Sequence, residues 1–69
     1  MRTDRLETLV TELVAIEARL RDLAYDALRT AAEDGDAAAE QEERRLQKAR
    51  RAVAKAIRDL GGEPEGDWA

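Results

Sequence analysis

The sequence predicts an all-α protein, an antiparallel two-helix hairpin of coiled-coil type that dimerises into a four-helix bundle. Three observations carry that expectation. Apolar residues recur at alternating short spacings from Leu6 to Ala27. A second stretch without Gly or Pro runs from Ala37 to Leu60. The break between the two helices falls at Glu33, Asp34, Gly35 and Asp36, a connection short enough to make them antiparallel neighbours.

The first helix is expected over about residues 4–33. Thr3 or Asp4 can cap its start, and Asp4 followed by Glu7 approximates a capping box. With Leu6 as heptad position a, the a and d positions are Leu6, Leu9, Leu13, Ile16, Leu20, Leu23, Ala27 and Thr30. That seam is leucine-rich at first and thins toward the turn, and it must lie against another apolar surface. The turn is expected at 34–36, with Gly35 in the left-handed position that ends one helix and Asp36 capping the next. The second helix covers about residues 37–60, with a matching seam of Ala39, Glu42, Leu46, Ala49, Val53, Ala56 and Leu60, flanked by Ile57. Gly61, Gly62 and Pro64 stop it. Residues 1–60 thus form the hairpin, and 61–69 an acidic tail expected to be flexible. Within the tail, Trp68 either folds back over the Leu6 end, docks on another protein or stays exposed.

Folding about Gly35 brings Val10 to Ile57, Glu17 within reach of Arg50 and Asp26 within reach of Arg45. The same register sets Glu12 near Asp59, a like-charge mismatch. Leucines of the first seam would then meet mostly alanines of the second, which permits close approach but buries little area. Opening should therefore cost least near the turn, so that a target helix could replace a hairpin partner there.

Chain size makes self-association the expected remedy for that small core. At 69 residues the chain forms one small domain whose core barely offsets the entropy of ordering it. It has no Cys and no His, so a disulfide framework, a thiolate metal site and the usual general base are all excluded. Alanine supplies 14 of its hydrophobic residues, and Leu, Ile and Val together only 13. Large apolar residues off the seam, at Val10, Val14, Tyr25 and Leu28, mark a flank that a lone hairpin leaves bare. Together with Ile57 they are the candidate partner-binding residues, for a second copy or for a larger protein.

Charge is segregated along the chain. Residues 1–43 carry 5 basic and 12 acidic groups, whereas 44–58 carry 7 basic groups and no acidic one. Within that block Arg44, Lys48, Arg51, Lys55 and Arg58 follow helical spacing and form a candidate anion-binding stripe opposite the seam. Such a stripe is also what a solvated helix face looks like. The net charge of −4 and the lack of aromatics among the arginines argue against nucleic acid as the ligand. The run from Ala49 through Arg50, Arg51, Ala52, Val53, Ala54, Lys55 and Ala56 to Ile57 resembles the second helix of the small two-helix ribosomal protein beside the exit tunnel of the large subunit. That resemblance implies ribosomal-RNA binding through this helix, the alternative function, and spans about ten residues without extending to the first helix.

No enzyme is expected. A di-metal bundle would need His beside its glutamates, Glu42 is the one carboxylate on a seam, and Arg19 with Arg50 is the one conceivable anion clamp. No cofactor or metal is implied. No run approaches the roughly 20 apolar residues of a membrane span, and Met1 to Asp4 do not open a signal peptide, so a cytoplasmic protein is expected. Ten Arg, two Lys and abundant Ala suit a high-GC bacterial genome. The expected function is a small, non-catalytic interaction or regulatory module that acts through self-association or by binding a partner's helix.

Overall fold

A computed structural model describes residues 2–64, with the side chains of Arg2 and Thr3 excepted. Two helices pack against each other as a hairpin: α1, Arg2–Asp34, and α2, Ala37–Asp59. The expected segment 65–69, including Trp68, lies outside the described residues. Because α1 already runs from Arg2, Thr3 and Asp4 sit inside its first turn and not at its cap. Asp4 still places a carboxylate near the positive end of the helix dipole. Near that end Thr8 and Thr11 donate their hydroxyls to the carbonyls of Asp4 and Glu7, each at 2.9 Å, so these polar groups are satisfied without leaving the helix.

The turn follows the chemistry of its residues. Gly35 adopts φ +62°, where a side chain would be strained, and its N–H donates to the Ala31 carbonyl at 2.9 Å. Asp36 then caps α2, its Oδ1 accepting from the N–H groups of Ala38 and Ala39 at 2.9 and 3.2 Å. At the far end α2 closes in a Schellman motif. Gly61 takes φ +92°, its N–H donates to Arg58 O at 3.0 Å, and the Gly62 N–H donates to Ile57 O at 2.9 Å. Gly62 passes so close to the helices that a Cβ there would lie 2.5 Å from Val10 Cγ1 and 3.1 Å from Ile57 Cγ2. These contacts place Val10 beside Ile57, as the register expected, and the chain then tucks Pro64 into a buried position.

The stripe by which α1 meets α2 differs from the expected seam. Burial on α1 follows Val10, Leu13, Glu17, Leu20, Ala24, Ala27 and Ala31, which are the a and e positions. On α2 it follows Ala39, Glu43, Leu46, Arg50, Val53 and Ile57, with Gln47 and Ala54 beside them. Replacing d by e moves one edge of each stripe by a residue, roughly 100° of helical arc. The small side chains at Ala24 and Ala54, almost fully buried, let the backbones approach on that line. Leucines at d would hold them apart.

At the middle of this contact sits an ionic cluster. Glu17 is completely buried, and its carboxylate accepts from Arg50 Nη1 at 3.2 Å and from Arg21 Nη1 at 3.4 Å. Arg50 also donates Nε–H to Gln47 Oε1 at 2.9 Å, so its planar fork is held from two sides. The expected Glu17–Arg50 pairing is therefore present. Among the described residues no buried side-chain polar atom lacks a partner.

Candidate interaction face

Rolling both helices from d to e leaves both d stripes uncovered, and antiparallel geometry turns them out of the same side of the hairpin. Leu6, Leu9, Ile16 and Leu23 are 44–48% exposed on α1. Leu13 and Leu20 lie beside them, part-buried at the junction of the helices. From α2 the same side receives Leu46, Ala49, Val53, Ala56 and Leu60, of which Ala49 and Leu60 are exposed. Near the turn this face deepens into a groove between Leu23, Ala27 and Thr30 on one helix and Ala39, Glu42 and Leu46 on the other. Glu42 is exposed there, so the one seam carboxylate is solvated.

The result is an apolar face two helices wide, which a scatter of single surface leucines would not produce. The molecule exposes 5429 Å², where a compact monomer of its mass exposes roughly 4300 Å². Its radius of gyration is 14.2 Å, against roughly 11 Å for a compact domain of its length. Both departures are those of an elongated two-helix hairpin, 50 Å long and 19 by 15 Å across.

The residues expected to bind a partner divide differently. Ile57 is fully buried inside the hairpin and Val10 and Val14 are part-buried against α2, so these three serve the intrachain contact. Tyr25 and Leu28 are 61% and 50% exposed, on the side opposite the leucine face. Leu28 there borders a shallow groove with Ala31, Ala32, Glu40, Glu43 and Arg44. What the sequence pattern missed is that the d half of its seam faces outward, while most of the a half stays in the contact between the helices. The signal was present in Glu17 and Arg50, an opposite pair at e positions, and in the small residues Ala24 and Ala31 on the same line.

The basic stripe is intact on the outer and rear surface of α2, where Arg44, Lys48, Arg51, Lys55 and Arg58 are all exposed. Within it Arg44 pairs with Glu40 at 3.3 Å and Lys55 with Asp59 at 2.8 Å, each one turn away. Arg19 is exposed at the edge of the leucine face while Arg50 is engaged in the interior, so the two do not form an anion clamp. Asp26 and Arg45 are both exposed, and the described ion pairs do not join them. Among the described residues no helix is long and apolar enough to cross a membrane. Compared with known proteins, the chain matches no family model, no curated protein and no solved structure.

Proposed function

We propose that this chain is a non-catalytic interaction module that works by burying its leucine face against a second copy of itself, forming a four-helix bundle. The observation that carries this reading is that the d stripes of both helices emerge on one side, with four large aliphatic residues of α1 close to half exposed. A hairpin that buries mainly alanines, Ile57 and an ion cluster, with its other aliphatic contact residues only part-buried, has little aliphatic burial of its own, and a second layer would supply the remainder. Sedimentation equilibrium over a concentration series tests it. The mass should approach twice the chain mass of 7.7 kDa, and Ile16→Glu should return it to the monomer, whereas Tyr25→Ser on the opposite side should leave it unchanged. A helical monomer at every concentration would refute the reading.

The basic stripe supports a second, separate activity only in outline. It lies off the leucine face, so dimerisation leaves it open to a polyanion such as RNA, but Glu40 and Asp59 already neutralise two of its charges. Binding of that kind would weaken steeply with salt and vanish on replacing Arg44, Lys48, Arg51 and Lys55 by Glu, while the apolar association would persist.

A further inference from the structure

Resting on this self-association reading, we infer the geometry of the dimer: α1 packs antiparallel on the partner's α1, with the two-fold axis between residues 14 and 15. Two ways of stacking the leucine faces are open to a symmetric pair. An axis along the helices sets α1 on the partner's α2, and an axis across them sets α1 on the partner's α1. The charges along the outer rim of the face distinguish the two.

On α1 the part of that rim away from the turn is heptad position g, occupied by Arg5, Glu12, Arg19 and Asp26, with the sign alternating each heptad; the next g residue, Glu33 beside the turn, repeats the sign of Asp26. All four are exposed, and none takes part in the ion pairs described within the chain. In an antiparallel helix pair, a residues oppose d residues and g residues flank g residues, and such flanking charges set orientation and register. With the axis between 14 and 15, Leu6 opposes the partner's Leu23, Leu9 the partner's Leu20 and Leu13 the partner's Ile16. Symmetry repeats each layer, so every layer is aliphatic. The rims then pair Arg5 with the partner's Asp26 and Glu12 with the partner's Arg19, each occurring twice and each opposite in sign.

A slip of one heptad in either direction breaks this match. Toward the N-terminus Glu12 meets the partner's Glu12 and Arg5 meets the partner's Arg19. Toward the turn Arg5 gains the partner's Glu33, but Arg19 meets the partner's Arg19 and Glu12 meets the partner's Asp26, so the like-charge contacts outnumber the opposite ones. Stacking α1 on the partner's α2 is no better, because it sets Glu12 beside the partner's Asp59 for every favourable contact of Asp26 with the partner's Arg45. The favoured overlap also ends where the face ceases to be apolar. Residue 27 lies opposite the partner's residue 2, which leaves Thr30, Ala39 and Glu42 at the turn outside the contact. The alternating rim thus acts as a register code that rewards one arrangement and penalises its neighbours.

The chain has no cysteine of its own, so a single Glu33→Cys substitution carries one nitroxide label near the turn. In the inferred dimer the two labels lie roughly 55 Å apart by the 1.5 Å rise per residue, since the turns sit at opposite ends. With the axis along the helices they lie within roughly 25 Å. Glu12→Arg should weaken dimerisation about 8- to 30-fold at low salt, from two pairs turned from attractive to repulsive. The double variant Glu12→Arg with Arg19→Glu should restore affinity to within about 3-fold. A dimer with close labels overturns the antiparallel geometry and leaves self-association standing. A dimer with distant labels but no rescue by the double variant overturns the register. A monomer at all concentrations overturns the association reading, and this inference with it.

Discussion

Glu17→Gln reports on how the two helices are rolled. In the structure the carboxylate is wholly enclosed and holds two arginines, Arg50 at 3.2 Å and Arg21 at 3.4 Å. Had the a and d seam faced α2, the same side chain would stand on the flank, in water. Hydrogen bonds to a charged group contribute about 1.5–3 kcal/mol net, and both distances are longer than the roughly 2.7–2.9 Å of a strong charge-assisted bond. Arg21 is one turn away on the same helix and its side chain is 37% exposed, so its share is discounted to below about 0.5 kcal/mol. The amide introduced by the substitution would keep one acceptor for Arg50, whose own Nε–H remains on Gln47. A loss of about 1.5–2 kcal/mol follows, or roughly 6–16 °C in melting temperature for a domain of this size. Thermal unfolding followed by far-ultraviolet circular dichroism, with wild type and variant at one concentration, measures it. A change under about 0.5 kcal/mol, the range of an exposed site, would mean that Glu17 is solvated and the helices roll the other way.

Three further outcomes follow from the same structure. Replacing both Glu17 and Arg50 by Leu should be close to neutral or stabilising, up to about 2 kcal/mol in urea unfolding, because the cluster's desolvation cost goes with its attraction; either replacement alone should destabilise. Gly62→Ala should cost about 1–3 kcal/mol by overpacking against Val10, with its Cβ 2.5 Å from Val10 Cγ1, and Val10→Ala in the same chain should recover part of the loss. Asp36→Ala should cost about 1 kcal/mol by freeing the Ala38 and Ala39 N–H groups, with amide exchange speeding first at the start of α2.

The hairpin was legible in the sequence because its determinants are local. Gly35, Asp36 and Gly61 act through their own backbone geometry, and each occupies the place its residue type favours. The register was legible through pairs, and Glu17 with Arg50 and Val10 with Ile57 are neighbours in the structure. The roll of the helices was not legible in the same way. A heptad stripe states that leucines must be covered, but not by which surface, and α2 offers only Glu42, Ala49 and Ala56 on its own d line. The competing stripe at e, with Ala24 and Glu17, looks poorer by hydropathy and packs closer. Consequently Val10, Val14 and Ile57, assigned by pattern to partner binding, are part-buried or buried in the single hairpin, and Leu9, Ile16 and Leu23 take the outside.

The internal contact, alanines around a charge cluster, also bears on the order of the folding reaction. Under the proposed self-association, a hairpin that leaves Leu9, Ile16 and Leu23 for another chain gains little from closing alone, so folding and pairing would become one bimolecular step. Its half-time should then lengthen in inverse proportion to concentration, and its melting temperature should rise with concentration. The quantity of this protein present, and not temperature or ligand alone, would decide whether it has a structure.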